Sequence, residues 1–172
     1  MIKFLRENKL PVNSPRTKDN GADTKKHRTA YKYYTDYPNE ERFCIVRNPY
    51  SRLVSFYNYS IKMGWLEQDF PWTQFVMDRP RISPLRDNQP WRLQIDYIMN
   101  GNKFYVHKKF KLETDLEKLQ AYLHTPKPFP KVNVSKQDGI ALPSYYTNSA
   151  VLERVRKDFK KDFKYLHYTR MI

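Results

Sequence analysis

Residues 42–62, RFCIVRNPYSRLVSFYNYSIK, carry the two clearest structural signals of the chain back to back. The four apolar residues from Phe43 to Val46 form a short, β-prone run that is typical of a buried strand. Asn48 is a favoured helix N-cap and Pro49 is favoured at the first helical position, so a helix is predicted to start directly after the strand. Four positions give that helix an apolar face: Leu53, Val54, Tyr57 and Ile61.

A strand that runs straight into a helix is a favourable place to bind an anion. We expect free backbone N–H groups and the positive end of the helix dipole to point outward at this junction. Arg47 stands at the end of the strand and Ser51 in the first turn of the helix, while Arg52 and Ser55 lie three residues apart along it. Together these groups suit a phosphate.

The same stretch resembles the 3'-phosphate-binding segment of sulfotransferases that use 3'-phosphoadenosine 5'-phosphosulfate (PAPS). The similarity is greatest to the carbohydrate sulfotransferase branch, with the pattern aromatic-x-x-V-R-[ND]-P-x-x-R-L-V-S-x-Y. The resemblance implies that Arg47 and Ser55 hold the 3'-phosphate of the cofactor. Arg52 and Ser51 are added as helpers because of their positions on the predicted helix.

Further segments similar to this family follow in the same order and cover roughly residues 25–168. They are His27-Arg28-Thr29-Ala30, Trp91-x-x-Gln94-x-Asp96-Tyr97, the strand-to-helix stretch Lys111-Leu112-Glu113-x-x-x-Glu117-x-Leu119, Pro130-x-Val132-Asn133-x-Ser135 and a closing helix up to Tyr165. The alternation of helices with short strands predicts an α/β fold with a small parallel sheet and more helices than strands. The resemblance makes this a P-loop-NTPase-like sulfotransferase fold in one domain, residues 1–172.

The resemblance also implies roles outside the central stretch. His27 is expected to be the general base that takes the proton of the acceptor hydroxyl. The alternative is a half-buried histidine that packs with Tyr31 and Tyr34 in a helix capped by Thr24. Ser135 and Lys136 are expected to close over the nucleotide, the alternative being a plain solvated loop. Gln94 and Asp96 are expected either to meet the acceptor or to orient the loop.

One part of the family pattern does not occur in this sequence. The family begins with a strand and a phosphosulfate loop of the type P-K-x-G-[TS]-[TS], whose backbone N–H groups cradle the 5'-phosphosulfate. Residues Met1 to Asn8 resemble instead the helix that follows this loop. We therefore expect a chain truncated at its N-terminus relative to the family, lacking the first strand and loop. Whether it transfers a sulfuryl group from PAPS to a glycan or similar hydroxyl, or is inactive, stays open.

The amino-acid composition indicates an anionic partner but does not identify its class. The 172 residues include 40% hydrophobic and 16% aromatic residues, as in a folded protein, and carry a formal net charge of +14. Such a field attracts a nucleotide cofactor, an acidic glycan or nucleic acid. The alternative function is a basic nucleic-acid-binding module without catalysis, in which 14 tyrosines stack on bases. The basic residues are scattered, however, and match no common nucleic-acid-binding motif.

Cysteine and histidine usage bear on compartment and cofactor. Cys44 is the single cysteine, and neither a leader nor a long apolar run is present in the sequence. These features predict a cytoplasmic protein without a membrane span. The four histidines never form a close pair, so no metal is expected beside PAPS and its product adenosine 3',5'-bisphosphate. The acceptor and the oligomeric state stay open.

Local signals predict the remaining elements. A short helix is expected over Pro71 to Met77, and Asn100-Gly101 is a turn signal before a strand at Phe104 to His107. Thr114 and Glu117 form a capping box at the start of another helix. The stripe Leu152, Val155, Phe159 and Phe163 predicts one closing helix.

Overall fold

The computed structural model describes residues 29–78, 91–125, 128–129 and 141–170. Within these ranges the chain is mixed α/β, with seven α-helices and a small sheet of parallel strands. The predicted α/β class is thereby confirmed, together with the small parallel sheet. None of the helices in the described ranges is long and apolar enough to cross a membrane.

The elements are short apart from two helices. The helices are α1 (Ala30–Asp36), α2 (Pro49–Lys62), α3 (Trp72–Asp78), α4 (Ile95–Ile98), α5 (Leu116–Tyr122), α6 (Ser149–Asp158) and α7 (Lys160–Tyr165), with a 3-10 helix at Leu142–Tyr146. The strands are β1 (Phe43–Val46), β2 (Met99–Asn100), β3 (Lys103–Phe104) and β4 (Lys108–Lys111). Strand β1 lies beside β4, and β2 pairs antiparallel with β3.

The chain divides into two compact units. The first comprises Met1–Ile45 and Tyr97–Val132, and the second comprises Val46–Asp96 and Asn133–Ile172. In the first unit, Phe43 of β1 lies 5.5 Å from the ring of Tyr122 and 6.1 Å from that of Phe110, so aromatic side chains pack α5 against the sheet.

The second unit holds the larger described core. Its fully or nearly buried side chains come from helices α2, α3, α6 and α7, from the 3-10 helix, and from two positions outside these helices, Leu66 after α2 and Phe159 between α6 and α7. They are Tyr50, Leu53, Val54, Tyr57, Leu66, Phe75, Val76, Tyr146, Val151, Val155, Phe159 and Phe163. Three of the four apolar positions predicted for α2 belong to this core, and Ile61 packs against it. The amphipathic face read from the sequence is therefore the buried face.

Several predicted boundaries are confirmed. Strand β1 and the start of α2 lie where the sequence places them, and α3 is displaced from its prediction by one residue. The Asn100-Gly101 turn joins β2 to β3, and Gly101 has a φ of +58°, a left-handed conformation that glycine adopts at little cost.

Other boundaries differ for identifiable reasons. Thr29 has an extended backbone (φ −72°, ψ 154°), and its hydroxyl accepts a hydrogen bond from the Lys32 N–H, so α1 begins at Ala30. The predicted helix capped by Thr24 therefore does not continue through Thr29. At α5 the N-cap is Asp115 rather than Thr114. The Asp115 carboxylate accepts hydrogen bonds from the Lys111 N–H at 2.8 Å and the Lys118 ammonium at 2.9 Å instead of capping the helix.

The strand after the turn and the closing helix were also predicted imperfectly. Strand β3 covers only Lys103–Phe104, and β4 follows at Lys108–Lys111, where local signals predict no strand and only the resemblance to the family's strand-to-helix stretch implies one. The closing helix is interrupted at Phe159, whose backbone (φ −101°, ψ 18°) ends α6 before α7 begins. The predicted apolar stripe nevertheless stays on one buried side, because Val155, Phe159 and Phe163 all belong to the core.

Candidate functional site

The junction of β1 and α2 is built as the sequence predicts. The side-chain oxygen of Asn48 accepts a hydrogen bond from the Tyr50 N–H at 2.9 Å, and Pro49 occupies the first turn of α2. The Asn48 carbonyl accepts the first intrahelical bond, from the Arg52 N–H at 2.9 Å. These contacts fix the direction in which the chain leaves Arg47.

The helix start offers fewer free donors than the sequence suggests. Pro49 has no N–H, and the Tyr50 N–H is taken by the Asn48 cap. The expectation of free backbone donors at this end is therefore wrong for these two residues. An anion bound here would depend mainly on side chains, supported by the positive end of the helix dipole.

Arg47 and Ser51 are brought together across the junction. The Arg47 Nε donates a hydrogen bond to the Ser51 Oγ at 3.1 Å, and this hydroxyl donates in turn to the Asn48 carbonyl at 3.2 Å. Both side chains are half-buried. The serine thus holds a permanently charged guanidinium over the first turn of α2, where the helix dipole favours negative charge.

Arg52 and Ser55 lie on the following turns of α2. An Arg52 NH2 group donates a hydrogen bond to the Arg92 carbonyl at 3.0 Å, which ties α2 to the segment before α4. Ser55 is half-buried one turn after Ser51. The spacing of four residues puts the two serine hydroxyls on the same side of the helix.

The side-chain amide of Gln94 forms hydrogen bonds with both main-chain groups of Arg47, the N–H and the carbonyl. Its Oε1 accepts a hydrogen bond from the Arg47 N–H at 2.8 Å, and its Nε2 donates one to the Arg47 carbonyl at 2.7 Å. The Nε2 also lies 3.4 Å from a carboxylate oxygen of Asp162. Both amide hydrogens are therefore engaged within the protein. The predicted contact of Gln94 with the acceptor stays a prediction, whereas its contact with Arg47 is part of the structure.

Asp162 is a fully buried carboxylate beside this site, with a relative exposure of 0%. Its two oxygens accept hydrogen bonds from the Gln94 N–H at 2.9 Å and the Ile95 N–H at 3.0 Å, and thereby hold the start of α4. Burial raises the pKa of Asp162, while these hydrogen bonds and the positive charge of Arg52 act in the opposite direction.

Sequence reasoning missed Asp162, although a signal was present. It lies three residues after Phe159 and directly before Phe163, so it falls on the apolar stripe of the closing helices. An acidic residue on a buried helix face must find donors inside the protein, because an unpaired buried charge is costly. That requirement identifies Asp162 as a residue with internal partners.

The remaining predicted site residues are not brought to this junction by the described contacts. Asp96 is exposed in α4, two residues after Gln94. Three predicted residues lie outside the described ranges, namely the base His27 and the nucleotide-loop residues Ser135 and Lys136. Within the described ranges, no group of three or more His, Cys, Asp or Glu residues is arranged to hold a metal ion.

Comparison with known proteins adds no relative. No protein-family model, no curated protein and no solved structure matches the chain at a significant level.

Proposed function

We propose that this protein belongs to the PAPS-dependent sulfotransferases, in the carbohydrate branch, and that the β1–α2 junction binds the 3'-phosphate of the nucleotide. The observation that carries the proposal is the Arg47–Ser51 contact of 3.1 Å at a strand–helix junction, in the stretch that resembles the family's 3'-phosphate segment. Arg47 supplies the charge, Ser51 orients its guanidinium through the hydrogen bond to Nε, and the hydroxyl of Ser55 supplies a neutral donor.

The proposed reaction is transfer of a sulfuryl group to a hydroxyl of a glycan or a similar acceptor. When bound, PAPS supplies this group: a sulfur–oxygen bond to the acceptor forms while the one to the phosphate breaks, which leaves adenosine 3',5'-bisphosphate. His27 is proposed to take the proton of the acceptor hydroxyl. Residues at the β1–α2 junction contribute binding and orientation.

Nucleotide binding and catalysis are separate claims for this chain. The residues proposed to hold the 3'-phosphate are present, whereas the motif P-K-x-G-[TS]-[TS] for the phosphosulfate is absent from the sequence. Binding of the product nucleotide therefore tests the family proposal without requiring turnover.

The first prediction concerns that binding. In isothermal titration calorimetry, adenosine 3',5'-bisphosphate is expected to bind more tightly than adenosine 5'-monophosphate, which lacks the 3'-phosphate. Replacing Arg47 with Ala should weaken binding of the bisphosphate by about 10- to 100-fold, because a charge-assisted hydrogen bond is worth about 1.5–3 kcal/mol. It should leave the monophosphate nearly unaffected.

The matched control is Arg154→Ala, which removes the same charge from α6, where Arg154 pairs with Asp158 at 2.7 Å. This variant should bind the bisphosphate as the wild type does. Equal loss in both variants would mean that net charge, rather than the junction, attracts the nucleotide. The proposal fails if the wild type does not distinguish the two nucleotides.

Nucleic-acid binding is the second candidate function, favoured by the formal net charge of +14. It predicts salt-sensitive binding of oligonucleotides that is insensitive to Arg47→Ala, since it would draw on many scattered basic residues. The same variants therefore separate the two functions when an oligonucleotide replaces the nucleotide in the titration.

A further inference from the structure

Gln94 fixes the main chain of Arg47 in the way that a neighbouring β-strand would. One side-chain amide accepts from the Arg47 N–H and donates to its carbonyl, at 2.8 and 2.7 Å. Two hydrogen bonds to the two sides of one residue define the plane in which its backbone lies. The direction of the Arg47 side chain therefore depends on where the Gln94 amide is held.

The carboxylate of Asp162 holds the Gln94 residue in place through its own hydrogen bonds. Its Oδ2 accepts from the Gln94 N–H at 2.9 Å and lies 3.4 Å from the Gln94 Nε2, while its Oδ1 accepts from the Ile95 N–H at 3.0 Å. Asp162 therefore restrains both the main chain and the side chain of Gln94. Because a neutral side chain would fill this place at lower desolvation cost, the buried carboxylate points to a specific orienting role.

We propose that Asp162 and Gln94 are positioning residues for phosphate binding: Asp162 orients the Gln94 amide, and Gln94 orients Arg47. Neither residue needs to touch the nucleotide. The inference rests on the proposed function, because it assigns the orientation of the arginine that binds the 3'-phosphate. It predicts that the site can be impaired without removing any residue that contacts the ligand.

The decisive variant is Gln94→Glu, which keeps the size and one acceptor of the side chain. When ionised, the introduced carboxylate cannot donate to the Arg47 carbonyl, and it faces the carboxylate of Asp162, with Arg52 and Arg47 as the nearby positive groups. When a proton is shared between the two carboxylates, a donor is restored. The defect should therefore depend on pH, which simple loss of packing would not produce.

The experiment measures the affinity for adenosine 3',5'-bisphosphate of wild type and Gln94→Glu at about pH 8 and at about pH 5. At each pH, the affinity of the variant is divided by that of the wild type, which cancels the effect of protonation of the ligand itself. The variant is expected to bind about tenfold more weakly at the higher pH, the effect of one lost hydrogen bond. The ratio should return towards one at the lower pH.

Gln74→Glu is the matched control, since Gln74 is an exposed residue of α3 in the same unit. It introduces the same charge and should show a ratio near one at both pH values. A second variant, Asp162→Asn, places an amide nitrogen against the N–H of either Gln94 or Ile95, which loosens the segment that holds Gln94, and it should weaken binding at both pH values with Arg47 still present. Thermal melting without ligand checks that each variant is folded.

Two results overturn the inference while leaving the proposed function intact. In the first, Gln94→Glu binds the bisphosphate as tightly as the wild type at the higher pH. In the second, Gln94→Glu binds it more weakly than the wild type by the same factor at both pH values. Failure of the wild type to bind the bisphosphate is a different result. It overturns the proposed function, and the positioning role falls with it.

Discussion

At the scale of single residues, Cys44 shows how burial controls a reactive group. It is half-buried in β1, and this burial raises the pKa of the thiol to about 11, against the weaker opposing effect of the positive charge of Lys109. Only the thiolate reacts with disulfide reagents. Cys44 is therefore expected to be nearly inert in the folded protein at neutral pH.

The prediction is that Ellman's reagent modifies Cys44 more than about tenfold more slowly than a free cysteine at about pH 8, because a thiol of pKa about 11 is ionised in only roughly one molecule in a thousand, although its thiolate is more nucleophilic. Absorbance of the released thiolate measures the rate. The same reaction in guanidinium chloride is the control and should proceed at the rate of a free thiol. Fast reaction of the folded protein would show that the thiol is accessible and ionised.

At the scale of elements, substitutions of the N-cap of α2 allow effects on folding stability to be separated from effects on nucleotide binding. Asp is as good an N-cap as Asn, so Asn48→Asp should change the free energy of unfolding by less than about 0.5 kcal/mol. It also places a negative charge next to Arg47, which competes for the guanidinium and repels a phosphate. The variant is expected to bind adenosine 3',5'-bisphosphate about tenfold more weakly, as one opposed charge near a surface suggests.

Urea unfolding and calorimetry together test this prediction. Asn48→Ser retains a neutral cap and should match the wild type in both measurements. Wild-type affinity in Asn48→Asp would argue that no phosphate binds at the start of α2.

The elements predicted best are those specified by nearby residues. Strand β1 and helix α2 follow from an apolar run, an Asn cap and a Pro within seven positions, all of which act locally. Local signals do not predict strand β4 because, of its four residues, Lys108–Lys111, only Phe110 is buried, so the segment has the composition of an exposed loop. Its strand conformation depends on β1 as a neighbour, which local sequence does not reveal.

The contacts of the candidate site divide in the same way: those between nearby residues were predicted, and those between distant residues were not. Arg47 and Ser51 were predicted because they lie only four positions apart across a recognisable junction, and the structure brings them into contact. The contact between Asp162 and Gln94 joins residues 68 positions apart. Its prediction would have required knowing that the closing helices pack beside α4. The sequence shows only that an acidic residue lies on a buried stripe.

At the scale of the whole molecule, each unit is assembled from two separated segments of chain. In the second unit, α2 and α3 come from one segment and α6 and α7 from the other, and their side chains form a single core. This core can close only when distant parts of the chain meet. Its stability should therefore depend strongly on residues near the C-terminal end of the sequence.

Phe159 is the residue at which this dependence is most easily measured. It lies between α6 and α7, has a relative exposure of 1% and belongs to the core. Phe159→Ala should lower the free energy of unfolding in urea by about 3–5 kcal/mol, because the lost contacts leave a cavity. Since single domains are stable by only about 5–15 kcal/mol, this loss is a large fraction of the total stability. Lys160→Ala, at the exposed neighbouring position, should change the value by less than about 0.5 kcal/mol. A loss below about 1 kcal/mol in Phe159→Ala would be incompatible with the cost of emptying a packed core position.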